Sequence, residues 1–277
     1  MLIATWNVNS IRTRLPQIID FLNEICPDIL CLQETKVEDK SFPKNALEKI
    51  GYQINFSGQK SYNGVALISK TKLEDIRVGF AGELPEDKEA IQLSDQKRLI
   101  SALIDDIRVV NVYVPNGSNI ASEKYLYKIK WLNCLKRYLK AQAKRGEPLC
   151  ILGDFNIALE DKDIHNPSKL AGGIMASKEE RDTLESVLGE RLIDIFRVFE
   201  LGTGHWSWWD YRTAAWERDK GWRIDHIYLC DELIRNAKSC RILKKVRGNA
   251  QPSDHAPVVA EITWPATDDE NNHNDFY

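Results

Sequence analysis

The sequence predicts an α/β protein in which two packed β-sheets carry helices on their outer faces. Three observations lead there. Short apolar runs outnumber segments of helical period. The helical segments come singly between groups of strands, which suits a layered sandwich. The 277 residues are 43% hydrophobic, enough for one large core, with no fixed-period repeat and no Gly/Ser linker. One domain over residues 1–264 is therefore expected, followed by a polar, acidic tail over 265–277 expected to be disordered.

The elements follow in order. Leu2 to Val8 is a short apolar run and predicts a buried strand. Leu15, Ile18, Ile19, Leu22 and Ile25 have helical spacing, and Pro27 ends that helix by removing an amide donor. Ile29 to Gln33 predicts a second strand, stopped at Glu34. A short helix is expected over Pro43 to Ile50, then strands over Tyr52 to Phe56 and Gly64 to Ser69. Glu83 to Lys97 is polar and acidic, and predicts a surface loop with a strand at Ala90 to Leu93. Leu99 to Ile104 and Val109 to Val114 predict a hairpin turned at Asp105 and Asp106.

Ser122 to Lys144 is the strongest helix signal. Tyr125, Ile129, Leu132, Leu135 and Leu139 form its stripe; Lys128, Lys136, Arg137, Lys140 and Lys144 fall off it, as on a solvated face or, more sharply, a phosphate-attracting one. Pro148 to Gly153 predicts a strand leading into Asp154, and Asp161 to Ala176 a long polar loop. Lys178 to Leu188 predicts a helix. His205 to Tyr211 is aromatic and strand-like. Strands are expected at Arg223 to Leu229, Cys240 to Val246 and Val258 to Trp264.

Composition narrows the function. The net charge is -3, so a role with nucleic acid needs a local basic face or metal ions, not bulk charge. The six cysteines make no CxxC pair and no cluster of zinc spacing. Several sit in apolar runs, which predicts reduced, buried thiols and a reducing, cytoplasmic setting. No apolar run approaches a membrane span, and the first residues do not read as a signal peptide.

Polar residues punctuate the ends of the apolar strands: Asn7, Glu34, Tyr113, Asp154, Asn156, Asp225, Asp254 and His255. Singly, each is more often a turn-maker or cap. Jointly they form an oxygen-rich set with one His and no Cys, which suits a hard cation, Mg²⁺ or Mn²⁺, rather than zinc.

Trp6-Asn7-Val8-Asn9-Ser10-Ile11-Arg12, Leu32-Gln33-Glu34-Thr35-Lys36, Gly153-Asp154-Phe155-Asn156, Trp222-Arg223-Ile224-Asp225 and Ser253-Asp254-His255-Ala256-Pro257 supply most of that set. In this order they resemble the signature blocks of the exonuclease III family of abasic-site endonucleases, within the endonuclease/exonuclease/phosphatase superfamily. The resemblance runs from Met1 to about Trp264. It implies a four-layered α/β/β/α sandwich and a Mg²⁺-dependent enzyme, with Mn²⁺ as a substitute. The metal set it implies is Asn7, Glu34, Asp154, Asn156, Asp254 and His255, with Glu34 as the principal ligand. Asp154 would deprotonate the attacking water and Asn156 would hold the water or a phosphate oxygen. His255, oriented by Asp225, would contact the scissile phosphate, and Tyr113 would donate a hydrogen bond to it.

Three Trp lie within four residues at Trp206, Trp208 and Trp209. Core packing is the plain reading for Trp206 and Trp209. By the resemblance, Trp208, Trp222 and Ile224 would line a pocket for a flipped-out baseless sugar, with Arg212 reaching the duplex. The implied substrate is double-stranded DNA with abasic sites or 3′-blocked ends. The implied reaction is incision 5′ to the abasic site, with 3′-end trimming and 3′→5′ exonuclease activity, by a monomer. Two other readings compete: a phosphatase acting on a non-nucleic-acid phosphoester, and a catalytically silent DNA-binding module.

Overall fold

The computed structural model describes residues 1–264; the acidic stretch expected to be a tail lies outside the described residues. The first four strands are β1 (Leu2–Asn7), β2 (Ile29–Gln33), β3 (Gln53–Ser57) and β4 (Val65–Ser69). The next are β5 (Glu74–Val78), β6 (Leu99–Ile104), β7 (Ile107–Tyr113) and β8 (Leu149–Asp154). The last are β9 (Leu192–Asp194), β10 (Asp225–Cys230), β11 (Ala237–Ile242) and β12 (Val258–Ile262). The helices are α1 (Ile11–Ile25), α2 (Lys44–Glu48), α3 (Lys88–Ser94) and α4 (Glu123–Gln142). They continue with α5 (Pro167–Leu170), α6 (Lys178–Leu188), α7 (Ile195–Phe199) and α8 (Asp231–Ile234).

The strands form two six-stranded mixed sheets. One is ordered β11-β12-β1-β2-β4-β3 and the other β5-β6-β7-β8-β10-β9. The pairs β1–β2 and β7–β8 are parallel. Alternation along each strand sorts its side chains between two faces. Ile3, Ile29, Cys31, Val109, Cys150, Leu152, Ile227 and Val258 fill the seam between the sheets. Their out-of-phase neighbours Ala4, Trp6, Leu30 and Leu32 pack under α1. On the other sheet Val110, Val112, Leu149 and Ile151 pack under α4 and α6. The layers are thus α/β/β/α.

The same alternation places the polar strand ends. Asn7, Tyr113, Asp154 and Asp225 keep step with the seam-facing residues, so all four point into the mouth of the seam. Register aligns them further: Tyr113 and Asp225 are each directly opposite Asp154 on flanking strands. Beneath them lies a buried polar layer. Gln33 Nε2 donates to Thr5 Oγ1 (2.9 Å) and to Asn111 Oδ1 (2.7 Å), bridging the sheets. Gly153 is required where β8 meets β7. It has φ +145°, and a Cβ there would lie 1.9 Å from the Val112 carbonyl oxygen.

Four local expectations need correction. Ala90 to Leu93 is helical, because Asp87 caps the amides of Glu89 (3.0 Å) and Ala90 (3.1 Å) and the i,i+3 pair Ala90 and Leu93 is buried. His205 to Tyr211 is not a strand; Trp208 alone makes isolated bridges, to Trp222 and His255. The strand expected to reach Val246 ends at Ile242, and a 3₁₀ turn follows. Lys128 is fully buried, not on a solvated face: it shares a side of α4 with Tyr125 and Leu132 and meets the buried Glu180. Lys136, Arg137, Lys140 and Lys144 are exposed as expected.

Candidate active site

Asn7, at the end of β1, is completely buried. Its Nδ2 donates to Glu34 Oε1 (2.9 Å) and to Asp154 Oδ2 (2.8 Å), joining the two sheets at the mouth. Ser253 Oγ donates to the Asn7 carbonyl (2.7 Å) and accepts from the His255 amide (3.2 Å), tying the Asp254-His255 loop to β1. His255 lies with Nδ1 2.8 Å from Asp225 Oδ2 and Nε2 3.8 Å from Asp154 Oδ2. Ser207 Oγ accepts from the amides of Ile224 (3.1 Å) and Asp225 (3.0 Å), fixing the start of β10.

Left-handed backbone concentrates here. Asn9, Glu34, Lys36 and Asn156 have φ between 44° and 53°. Such strain persists only where the surroundings enforce it. At Asn156 the enforcement is visible. Its amide donates to Asp154 Oδ1 (2.9 Å), its Nδ2 to Val114 O (2.9 Å) and Asp154 Oδ2 (3.2 Å), and its Oδ1 accepts from Asn116 (3.0 Å).

Burial penalises the charge on His255, but Asp225 and then Asp154 overcome it and hold its pKa up at about 10. Burial and the facing Asp225 push Asp154 well above the ordinary carboxylate range, against the pull of His255. For Glu34, burial is outweighed by Lys36 (2.8 Å) and by the Asn7 hydrogen bond, so its carboxyl falls below the usual value. Burial, and Glu34 beside it, drive the Tyr113 phenol up, so it remains a donor. Arg98 lies over the Tyr113 ring at 4.5 Å.

Glu34, Asp154 and His255 each offer one ligand atom, all within 4.8 Å of one another. Asp225 Oδ1 is buried and unpaired. Two carboxylates fit a hard divalent cation; Asn7, expected among the ligands, instead faces them with its Nδ2, while its Oδ1 accepts from the Asn9 amide (3.0 Å). Asp254 stands apart from that trio: Asn9 Nδ2 donates to its Oδ1 (2.9 Å) and Trp208 Nε1 to its Oδ2 (3.0 Å). Beside the trio, Trp222 and Ile224 are buried with Ala158, Ile164, Met175 and Ala176, and Trp208 packs against them as an apolar wall. Trp206 and Trp209 belong to a separate core cluster, as their plain reading required. Arg212 is exposed and bonded to its neighbour Asp210.

Several contributors were missed in the sequence. Asn9, Lys36 and Ser253 lie inside the quoted blocks, yet their partners are distant in sequence. Ser207, Asn116 and Arg98 carried no signal of their own, and Lys128 carried only that of an outward basic face. Asp163 lies in the segment expected to be a plain polar loop. It is fully buried and receives Arg223 Nε (2.6 Å) and Nη2 (3.2 Å), pinning that segment behind Trp222 and Ile224.

Two carboxylates, Glu34 and Asp154, beside the His255 imidazolium at the mouth of two packed mixed sheets are the arrangement of a metal-dependent phosphodiester hydrolase. The chain belongs to the Endonuclease/Exonuclease/phosphatase family, whose model matches residues 4–255. It is similar to exodeoxyribonuclease III of Haemophilus influenzae, with 34% identity covering 95% of this chain and 100% of that protein. Among solved structures it is similar to a 3′ phosphatase from Neisseria bound to a product DNA hairpin. That match has a TM-score of 0.89 and 39% identity, and covers 95% of this chain and 100% of the other. An AP endonuclease from Archaeoglobus fulgidus gives a TM-score of 0.88 and 39% identity, over 95% and 99%.

Proposed function

We propose that this protein is a Mg²⁺-dependent DNA repair nuclease that incises duplex DNA 5′ to abasic sites and also processes 3′ ends. The observation that carries the reading is the Asp225–His255–Asp154 line, set directly beside the Trp208/Trp222/Ile224 wall. Asp154, whose proton affinity is raised, takes the proton of the attacking water, an effect worth about 10² to 10⁴-fold. His255, cationic and oriented by Asp225, faces the scissile phosphate with Tyr113 as a second donor. Asn156 holds the water or a phosphate oxygen. Glu34 would be the principal metal ligand, with Asp154 alongside, and Asn7 holds the two carboxylates in place. Mg²⁺, or Mn²⁺ in its place, supplies charge neutralisation at the phosphate.

A baseless sugar is cheap to extrude, and an apolar wall that leaves no room for a base selects it. Similarity to the Neisseria 3′ phosphatase and to an exodeoxyribonuclease supports the 3′-end activities. Residues 1–264 act as one catalytic unit in this reading, as a cytoplasmic monomer. Its cysteines are free, and no helix among the described residues is long and apolar enough to cross a membrane. The test is a duplex carrying one synthetic abasic site, incubated with Mg²⁺ or with EDTA beside an intact duplex. Incision of the abasic duplex in Mg²⁺ alone is expected. Equal cutting of the intact duplex at internal positions, or no cutting at all, would sink the reading.

A further inference from the structure

The Lys128 ammonium and the Glu180 carboxylate are both fully buried and lie 2.5 Å apart. Such a pair rarely raises stability, because desolvating two charges offsets their attraction. Its other contacts suggest what it does. Lys128 Nζ also donates to the main-chain carbonyls of Asn156 (2.7 Å) and Asn116 (3.3 Å). Those two residues are joined by their side-chain amides, and Asn156 in turn donates to Asp154.

On the opposite side, Glu180 Oε1 accepts from the Met175 amide (3.1 Å), in the apolar wall beside Trp222 and Ile224. Glu180 Oε2 accepts from Ser177 N (3.0 Å) and Oγ (2.7 Å), closing a capping box at the start of α6. The Lys128 stem is clamped as well: a Cβ on Gly117 would lie 3.2 Å from Lys128 Cδ and 3.0 Å from Ile174 Cδ1. One ion pair thus holds the Asn116–Asn156 loops and the sugar-pocket wall.

We propose that Lys128 and Glu180 form a positioning pair that sets the Asn156 and Asn116 amides at the phosphate site and ties them to the pocket wall at Met175. The proposal rests on the repair-nuclease reading above. It predicts that removing the donor to the two carbonyls costs turnover more than substrate binding. Asn156 is in left-handed backbone and depends on its surroundings to stay there.

Lys128→Met alone would leave the Glu180 carboxylate buried without a counter-charge. The test therefore uses Lys128→Met with Glu180→Gln, which keeps the capping acceptor and removes both charges. Lys128→Gln with Glu180→Gln is the second variant, for use if the first does not fold. Two quantities are read per folded molecule: steady-state incision of an abasic duplex in Mg²⁺, and the Asn116 and Asn156 side-chain amide signals in the metal-free protein. A loss of about ten- to hundred-fold in kcat is expected, with KM changed by no more than about three-fold. Both amide signals should shift. Unchanged amide signals, or kcat within about two-fold of wild type, would overturn the proposal. If wild-type protein does not incise abasic DNA, the repair-nuclease reading fails separately, and the amide signals still decide whether Lys128 positions Asn156.

Discussion

Asp154 Oδ2 lies 3.8 Å from His255 Nε2 across the mouth of the two sheets, and the far side of the same imidazole is held by Asp225 at 2.8 Å. The proposed base Asp154 and the His255 imidazole are therefore fixed by elements of both sheets: β8 and β10 from one, and the loop before β12 from the other.

Asp225→Asn removes the largest upward influence on the His255 pKa. In the wild type the His255 charge contributes its full folding stability below about 6.5, the ordinary His value. That contribution declines above that value and is lost as pH rises through about 10, where the folded-state imidazolium itself deprotonates. In the variant the NMR titration of the His255 ring, in metal-free protein, should move down toward the ordinary value. Incision at neutral pH should fall by about 10² to 10³-fold. A titration left near the wild-type midpoint would contradict this account of the charge.

Asp163→Asn tests the buried clamp behind the pocket. Burial opposes charge on Asp163 and Asp194, but Arg223 outweighs it at both, and both carboxyls are lowered. A lowered folded pKa gives stability that is present above the unfolded value of about 3.9 and lost as pH falls through the folded one. Urea unfolding followed by Trp fluorescence should show wild-type stability dropping below about pH 4. Asp163→Asn should be about 3 to 5 kcal/mol less stable at neutral pH, since it leaves Arg223 short of a buried partner. Its decline in acid should be shallower, and an identical acid slope would count against the clamp.

Gly153→Ala should be among the most damaging single changes, because its Cβ would overlap the Val112 carbonyl and its φ is +145°. A loss of more than about 3 kcal/mol, or failure to fold, is expected from chemical denaturation. The control is Gly248→Ala, where nothing lies within 4 Å of the added atom; it should stay within about 0.5 kcal/mol of wild type.

Trp208 has two parts that a pair of variants separates. Trp208→Phe keeps a ring at the wall and removes the donor to Asp254. Trp208→Ala removes both. Competitive incision of abasic against intact duplex should leave the preference of Trp208→Phe near wild type and lower that of Trp208→Ala by about ten-fold. Equal effects of the two variants would assign selectivity to Asp254 instead of the wall.

Much of this was legible because strand ends announce themselves. Short apolar runs stop at Asn7, Glu34 and Asp154 and one starts at Asp225, and parity alone sends the side chains at 7, 154 and 225 into the seam. Long-range pairs were not legible. The Ser177 and Glu180 spacing signals a capping box, yet nothing local shows that the second oxygen of Glu180 meets Lys128, 52 residues away. Asp254 has the same character as Glu34 in sequence, but Asn9 and Trp208 take its two oxygens. The stretch at Ala90 could not be judged by β-propensity once Asp87 had capped it as a helix.

The central claim is that Asp154 acts as base within a single metal-dependent site. Single-turnover incision of an abasic duplex by Asp154→Asn, in Mg²⁺ with the complex preformed, tests it most directly. The account predicts binding within about three-fold of wild type and incision slower by about 10² to 10⁴-fold. Tight binding with wild-type incision would remove Asp154 from the chemistry and contradict the account.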